Sequence, residues 1–300
     1  MTVKISFFDL PETRVFELDL DQSLEELINA LYLSNQTLFS SERGENEIIS
    51  SGTSLSPSSA AGGAGGVGDY CLRFASTWEL ITDQNYRKRL KNGDSLLFQF
   101  SPVLEARRSA NILHMAVKGA IESENSLKKS FYKLQRCLKE YVFFREFSAC
   151  NGLVYFMTVI TKLSGNTLSY ALACLQSILE YSENEWKFCL SSQDLLSLLV
   201  RCVFSNSLNV ARNATGILVK LVTIGFYDFE SLRSVNASII SKLLDRLNSK
   251  ENGTQCISMQ LINILLKSIL NSPKEKDNLA IFYEVSLRRT VSVRKESVLI

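Results

Sequence analysis

The stretch Tyr70–Pro102 constrains the fold of this chain more than any other, because it combines strand, helix and turn signals in a short span. The order is strand, strand, short helix, turn and strand, in the segments Tyr70–Phe74, Trp78–Ile81, Asp83–Leu90, Asn92-Gly93-Asp94 and Ser95–Phe100. Asn and Gly predict the turn since both tolerate the positive φ that tight turns demand. The stretch is therefore typical of the closing half of a small α+β domain.

The first residues supply an opening half for that domain. Val3–Leu10 and Thr13–Leu20 predict two strands joined by a turn at Pro11. In the second strand we expect an inward face made by apolar side chains, namely Val15, Phe16, Leu18 and Leu20. Leu24–Leu33 then has apolar residues at helical spacing, and Asp21 or Ser23 can cap it.

A tract rich in Ser, Gly and Ala, from about Ser40 to Gly68, interrupts this pattern. Such a composition buries too little apolar surface to offset the entropy of ordering, so we expect a disordered insertion. Without it the order is β-β-α followed by β-β-α-β. We therefore predict a ubiquitin-like α+β domain over residues 1–102.

From residue 103 onward, amphipathic helices replace the strand signals. Five positions recur at offsets of 40 and 46 residues in three segments: Ala171, Cys174, Leu175, Ile178 and Leu179; Ala211, Ala214, Thr215, Leu218 and Val219; Ile257, Gln260, Leu261, Ile264 and Leu265. Repeats of about 40–47 residues are typical of armadillo and HEAT arrays. We predict an all-α armadillo/HEAT-like solenoid over residues 103–300, with an ordinary helical bundle as the alternative.

Composition excludes several classes of function. The 33 Lys and Arg against 31 Asp and Glu give a formal charge of +2, too balanced for nucleic acid as the main partner. No apolar run reaches the roughly 18 residues that span a bilayer, and the start lacks a signal-peptide core. Seven cysteines without paired spacing argue against a disulfide framework. We expect a cytoplasmic protein that reaches the plasma membrane only by recruitment.

Enzymatic motifs are also missing. His114 is the only histidine, and it lies in an apolar helical segment without a second His or a Cys pair beside it. Neither a GxSxG nucleophile motif nor a P-loop occurs. We therefore expect no catalytic residue, no metal and no cofactor.

Three segments resemble proteins of the ELMO family. Tyr70–Pro102 is similar to the end of that family's ubiquitin-like domain, through Ile81, Thr82, Asn85, Lys91, Asn92, Gly93, Ser101 and Pro102. Phe144–Gly152 resembles the start of its armadillo region, where a Phe precedes a Gly turn, and Gln260–Pro273 resembles a late armadillo helix. The Ser/Gly tract departs from the family pattern, as does Tyr86, which stands where the family has Arg.

The resemblance implies a non-enzymatic adaptor. It implies an N-terminal domain that reads an activated small GTPase of the Rho/Rac or Arf type, and a chain that regulates a Dock-type Rac exchange-factor complex in actin cytoskeleton signalling. ELMO proteins continue into an ELMO domain, a PH domain and a proline-rich tail, which carry most of the Dock contact. Since this chain stops at Ile300, we expect the helical array to be incomplete, and the resemblance leaves open whether a Dock-type exchange factor binds without those later parts.

Basic residues of the N-terminal domain are the candidate GTPase contacts, namely Lys4, Arg14, Arg87, Lys88, Arg89 and Lys91. Ubiquitin-like GTPase-binding domains often pair their second strand with the edge strand of the GTPase, and basic side chains steer that approach. For the cluster from Arg87 to Lys91, a purely solvated helix face is the alternative.

Two other functions remain open from the sequence. A formin-like regulatory region also joins GTPase recognition to armadillo repeats, but the N-terminal part of that family is helical whereas two strands open this chain. A generic armadillo scaffold is the third possibility. Binding that depends on the bound nucleotide separates the GTPase readers from a scaffold.

Shortening the Ser40–Gly68 tract to a few residues tests whether it contributes to folding. Loop-closure entropy changes slowly with length, so we expect the free energy of unfolding to stay within about 2 kcal/mol of the full chain. Urea denaturation followed by circular dichroism measures it. Loss of the cooperative transition in the shortened chain would show that the tract packs against the domain.

Overall fold

The computed structural model describes residues 1–7, 13–19, 21–35, 67–120, 124–190, 193–247, 251–270 and 277–284. These residues form two compact units. A sheet unit contains Met1–His114 and Lys139–Gly152, and a helical unit contains Met115–Leu138 and Leu153–Ile300. The sheet unit thus includes helical segments beyond residue 102. The expected limits at 1–102 and 103–300 stay a prediction.

The sheet unit is built on a four-stranded mixed sheet. Its strands are β1 (Thr2–Phe7), β2 (Thr13–Glu17), β3 (Tyr70–Phe74) and β4 (Ser95–Phe100). Their order is β2-β1-β4-β3. β1 pairs with β2 and β3 with β4 in antiparallel fashion, while the first and last strands, β1 and β4, pair in parallel. The last strand, β4, therefore lies in the middle of the sheet, beside β1.

One face of the sheet forms the core with helix α1 (Leu24–Ser34). Alternate strand residues point into it, including Val3, Ile5, Phe7, Leu72, Leu96 and Phe98, which are at most 1% exposed. The predicted apolar positions of α1 are buried against them. Ser23 begins the helix through a capping box, in which Glu26 N–H donates to Ser23 Oγ and Ser23 N–H donates to Glu26 Oε2.

Two expectations about the strands were wrong. Successive residues of a strand point to opposite faces, so Val15 and Phe16 cannot both point inward; Phe16 packs on the core and Val15 is 65% exposed. Trp78–Ile81 is not a strand, because Trp78 has φ of 64° and only an isolated bridge pairs Leu80 with Arg73. Leu20 lies outside the described residues.

A second helix and a turn connect β3 to β4 as the sequence predicts. Helix α2 spans Asp83–Arg89, and the turn at Asn92 and Gly93 follows it. Gly93 has φ of +89°, and its N–H donates to Thr2 O at 2.8 Å. Asn92 Oδ1 accepts a hydrogen bond from Thr2 N–H at 2.9 Å. The turn therefore fixes the start of β1 beside the start of β4.

Among the described residues, the outer face of the sheet is buried along β3 and at Gln99 of β4, and it is exposed at most positions of β1 and β2. Cys71, Arg73 and Gln99 point to this outer face and are all buried, so β3 is buried on both sides. Arg73 donates to both carboxylate oxygens of Glu140, with Nη2 to Oε2 at 3.0 Å, and its Nη1 also donates to Trp78 O at 3.1 Å. Glu140 is the N-cap residue of a helix that belongs to the sheet unit.

Helices make up the rest of the described chain. They are α3 (Pro102–Val117), α4 (Glu124–Cys137), α5 (Tyr141–Ala149), α6 (Gly152–Ile160), α7 (Gly165–Ile178), α8 (Glu183–Leu190), α9 (Gln193–Val203), α10 (Leu208–Thr223), α11 (Phe229–Val235), α12 (Ile239–Leu247), α13 (Asn252–Leu270) and α14 (277–284). In the helical unit α4 packs on α7, α7 on α10 and α10 on α13. Every third helix therefore stacks on its equivalent in the next repeat.

The predicted internal repeat falls on three of these stacked helices. All five positions of the first copy, from Ala171 to Leu179, are buried in or beside α7. In the second copy Val219 is half-buried, and in the third Gln260 is exposed. Helix α13 buries Ser258 and Ile262 instead, so its buried face is rotated by about one residue from the predicted one.

The predicted helix break at Asn151-Gly152 also occurs. Helix α5 ends at Ala149, Asn151 has φ of 59°, and α6 begins at Gly152. A Cβ atom on Gly152 would lie 2.5 Å from the ring of Phe147. The glycine is therefore required by close packing inside the turn.

The described fold is thus a small N-terminal sheet with packed helices, followed by stacked helices. The ubiquitin-like assignment of the sheet stays a prediction. The Ser/Gly tract lies outside the described residues, apart from its last two positions.

The turn at Gly93 provides a first test of this fold. Gly93→Val places a β-branched residue at φ of +89°, which we expect to lower the free energy of unfolding by about 1–2 kcal/mol. Gly93→Asn is the matched control, because Asn tolerates positive φ and should lose less. Urea denaturation of the full chain measures both. Equal stability of the Val variant and the parent would contradict the turn's role.

The Arg73–Glu140 pair provides a second test. Glu140→Ala leaves a guanidinium whose side chain is only 3% exposed without its carboxylate. Because a buried, unpaired charge is unfavourable, we expect a loss of about 2–4 kcal/mol.

Glu146→Ala is the matched control for that test, since it removes the partner of Arg107, whose side chain is 59% exposed. An exposed pair of this kind contributes less than about 1 kcal/mol. Equal losses of the free energy of unfolding in the two variants, measured by urea denaturation, would show that the Arg73–Glu140 pair stabilises the fold no more than the Arg107–Glu146 pair.

Candidate functional site

The six predicted contact residues lie on three parts of the sheet unit. Lys4 is in β1, Arg14 is in β2, and the other four are in α2 or the turn after it. All six are exposed. Exposure alone does not make them one surface, so the direction of each side chain decides which of them act together.

The strand register separates Lys4 from Arg14. Lys4 stands opposite Val15 on the outer face, whereas Arg14 stands opposite the buried Ile5 on the face covered by α1. Arg14 Nη1 donates to Asn35 Oδ1 at 2.9 Å, at the end of α1. The two cations therefore flank the β1–β2 hairpin from opposite faces.

Two basic residues of α2 are engaged inside the sheet unit. Arg87 Nη2 donates to Asp21 O at 3.2 Å. Arg89 forms an ion pair with Glu79 and lies over the ring of Phe74, with Cζ 5.5 Å from the ring centroid. Lys88 and Lys91 point into solvent. Of the predicted cluster, these two lysines are best placed to meet a partner.

The second strand, β2, is the strand that the family resemblance implies for pairing with a GTPase, and its register shows which backbone groups lie at the edge. Met1 and Leu18 exchange both backbone hydrogen bonds, at 2.9 and 2.7 Å, which fixes them as a hydrogen-bonded pair. Such pairs alternate along an antiparallel ladder, so the backbone of Phe16 and Arg14 faces β1. The N–H and C=O of Val15 therefore point away from β1, toward the open edge.

The two edges of the sheet differ in how they are covered. Beside β3, Phe74 N–H donates to Glu79 O at 3.0 Å and Ile81 N–H donates to Leu72 O at 2.9 Å, so residues 79–81 occupy that edge. In the described part of the chain, no strand pairs with the outer side of β2. An open edge can accept a strand from a partner through main-chain hydrogen bonds.

The outer face beside this edge is mixed in character. It presents exposed polar and charged side chains together with one large apolar one, namely Thr2, Lys4, Thr13, Val15 and Glu17. Ser6 and Thr13 share a hydrogen bond of 2.8 Å across the hairpin. The face is therefore polar enough to stay solvated when no partner is bound.

Four of the described thiols are buried, namely Cys71, Cys137, Cys174 and Cys202, whereas Cys256 is exposed. Burial raises the pKa of Cys71 to about 11, and it raises the pKa of Cys150, Cys174 and Cys202 as well. At neutral pH these thiols stay protonated, and the protonated form is a poor nucleophile.

The described residues also bear on metal binding, on the single histidine and on membrane crossing. They contain no group of three His, Cys, Asp or Glu side chains that could hold a metal ion. His114 is half-buried in α3. None of the described helices is both long and apolar enough to cross a membrane.

Two relatives from Dictyostelium discoideum share part of this sequence. Formin-G is 26% identical over 225 residues, which cover 67% of this chain and 20% of that protein. ELMO domain-containing protein A is 26% identical over 169 residues, covering 48% of this chain and 16% of that protein. The chain thus spans a fifth or less of the length of these relatives.

Solved structures of designed proteins share its helical arrangement only weakly. A designed armadillo repeat protein has a TM-score of 0.39 and 14% identity over 61% of this chain and 93% of its own. An engineered protein has a TM-score of 0.42 and 15% identity over 61% of this chain and 47% of its own.

A family model gives the assignment. The model described as "ELMO, armadillo-like helical domain" matches residues 142–293, just over half of the chain. The matched range includes the stacked helices α7, α10 and α13. The chain therefore belongs to the family with the ELMO armadillo-like helical domain.

Proposed function

We propose that this protein is a non-enzymatic adaptor that reads an activated small GTPase and regulates a Dock-type Rac exchange-factor complex. Membership of the ELMO armadillo-like family supports the adaptor class. The protonated, buried thiols fit a binding role rather than a catalytic one. In this proposal the protein acts in the cytoplasm, and its partners recruit it to the plasma membrane.

Residues 1–102 of the sheet unit are proposed to be a ubiquitin-like domain. Three features support this: an opening hairpin, a single helix packed across the core face, and a last strand parallel to the first. The order of elements agrees with the predicted one except for the strand expected at Trp78–Ile81. Such a domain leaves its second strand at an edge, where a partner can add a strand.

The open edge of β2 is the observation that carries the GTPase-binding proposal. The backbone N–H and C=O of Val15 point outward, and its side chain is 65% exposed. Lys4 and Arg14 flank this edge from the two faces, so an acidic edge strand of a GTPase would meet a cation on either side. The main-chain hydrogen bonds would supply affinity, and the two cations would raise the association rate.

Regulation of an exchange factor is the more distant part of the proposal. It rests on the family of the helical unit and on the relative named ELMO domain-containing protein A. The stacked helices offer a long surface on which such a partner can be held.

A formin-like regulatory region is the second candidate. The match to Formin-G covers 67% of this chain and so extends further than the match to the ELMO relative, at 48%. In a formin-like arrangement we expect the helical repeats to take part in GTPase recognition. Variants at the β2 edge distinguish the two, because they alter only the sheet unit.

The test uses the full chain against Rho, Rac and Arf-type proteins loaded with a GTP analogue or with GDP, measured by biolayer interferometry. We expect binding to at least one GTP-loaded protein. Val15→Pro removes the outward N–H but leaves the β1–β2 hydrogen bonds in place, so it should weaken that binding by about tenfold. Val15→Thr is the matched control, since it keeps the N–H and the β-branched shape.

Charge reversal tests the steering step separately. Lys4→Glu should lower the association rate about three- to tenfold and reduce its salt dependence. Lys88→Glu, on α2, should do so only if that helix also faces the partner. If Val15→Pro and Lys4→Glu bind the GTP-loaded protein as tightly as the parent chain does, the formin-like candidate is favoured. If no binding depends on the nucleotide, only a generic scaffold remains.

A further inference from the structure

Positive charge is concentrated on two helices of the helical unit, α4 and α10, which flank α7 in the helix stack. Helices α4, α7 and α10 carry six basic residues and one acidic residue, Glu124. The basic residues are Lys128, Lys129, Lys133, Arg136, Arg212 and Lys220. The whole chain, in contrast, has 33 basic and 31 acidic side chains. Four of the six lie in α4, and the helix stack places them on the same side of the unit as the two of α10, which are about eighty residues further along the chain.

An aromatic contact joins the first two of these helices at the surface. The rings of Tyr132 in α4 and Tyr170 in α7 meet edge to face, with centroids 5.7 Å apart. Arg136 lies over the Tyr132 ring, with Cζ 5.2 Å from its centroid. Tyr132 is 47% exposed, and Lys129 precedes it by one turn on the same stripe. The guanidinium is thus held in place by the ring beneath it.

The middle helix presents small, uncharged side chains between its basic neighbours. The solvent-facing stripe of α7 includes Ser169, Ala173 and Ser177, and α7 has no charged residue. A row of small side chains flanked by Arg and Lys on both sides leaves room for a chain to lie across α7.

Amide groups join the middle helix to the third. Gln176 Nε2 donates to Asn213 O at 3.1 Å, and Asn213 Nδ2 donates to Ser169 O at 3.0 Å. A Cβ atom on Gly216 would lie 2.7 Å from Gln176 Nε2, so the glycine lets the amide lie close to α10. Arg212 is exposed one turn before Gly216, while Lys220 is paired with Glu180 at 2.8 Å. Arg212 is therefore the cation that α10 offers to a partner.

We propose that this surface, the solvent-facing side of α4, α7 and α10 from Lys129 to Arg212, binds an acidic extended peptide segment of a partner protein. Carboxylates on such a segment pair with Lys129, Arg136 and Arg212, and its backbone lies over the small residues of α7. The surface suits a peptide better than a lipid bilayer, because Tyr132 is the only large apolar side chain exposed among the described residues of these helices. The inference concerns a different unit from the GTPase proposal and does not depend on it.

The probe is a fluorescein-labelled peptide of Asp, Glu and Gly, and anisotropy of the full chain reports its binding. Packed helices lie about 10 Å apart and an extended chain rises about 3.3 Å per residue, so about eight to ten residues span the three helices. We expect binding that a Gln, Asn and Gly peptide of the same length does not show. Lys129→Glu combined with Arg212→Glu should weaken it at least about tenfold.

Two controls separate this site from general attraction of opposite charges. Lys187→Glu reverses an exposed charge on α8 and should change the affinity less than about twofold, as expected for a charge outside the site. Ala173→Trp fills the space over α7 without changing any charge and should abolish binding, whereas Ala173→Ser should preserve it. Circular dichroism melting confirms that each variant is folded.

Three outcomes would overturn the proposal. The first is equal binding of the acidic and neutral peptides. The second is a folded Ala173→Trp variant that binds as tightly as the parent. The third is binding to phosphatidylserine vesicles, through Lys129 and Arg212, without any binding to the acidic peptide, which would make the surface a lipid contact.

Discussion

The buried ion pair between Arg73 and Glu140 is the constraint on which the arrangement of the sheet unit depends. Strand β3 points a guanidinium to the outer face, where its side chain is 3% exposed, and a charge so buried requires a carboxylate partner. Glu140 supplies it from the N-terminus of α5, so the helix must lie on the β3–β4 half of the sheet. No strand in the described part of the chain pairs with the edge of the β1–β2 half, and the outer face of that half carries exposed side chains. A single buried charge thus decides which half of the sheet is available to a partner.

Much of the fold could be predicted from the sequence because local signals agreed with the final packing. The capped helix α1, the Gly93 turn and the break at Gly152 each rest on the conformational limits of one or two residues. The expected strand at Trp78–Ile81 failed because an apolar run does not reveal the backbone angle of Trp78, which tertiary contacts to Arg73 help to hold. The buried face of α13, the third repeat helix, differs from the predicted one because Ser258 and Gln260 are both polar. Only packing on α10 decides which of the two is buried.

The candidate site was less predictable, for a physical reason that differs from one residue to the next. Lys4 and Arg14 were named from their charge, but only the register shows that they lie on opposite faces. The outward side chain of Val15 could have been found by applying the two-residue period of strands strictly, since Phe16 already occupies the inward face. The outward direction of its N–H and C=O follows only from the pairing with β1. The basic surface of the helical unit gave a local signal only in α4, where Lys129 and Arg136 are seven positions apart. Arg212 lies 76 positions beyond Arg136, so only the helix stack shows that it belongs to the same surface.

The two proposed surfaces use different physics, and salt concentration tells them apart. Strand addition at β2 depends mainly on directional main-chain hydrogen bonds, which screening by salt affects little. An acidic peptide on Lys129, Arg136 and Arg212 is held mainly by charges near solvent, whose attraction falls once the Debye length shrinks to about 3 Å at 1 M salt. A high salt concentration should therefore release a ligand of the helical unit and leave a GTPase bound at the sheet edge, with only its association slowed. An adaptor with two such surfaces can hold two partners whose affinities respond independently to the ionic environment.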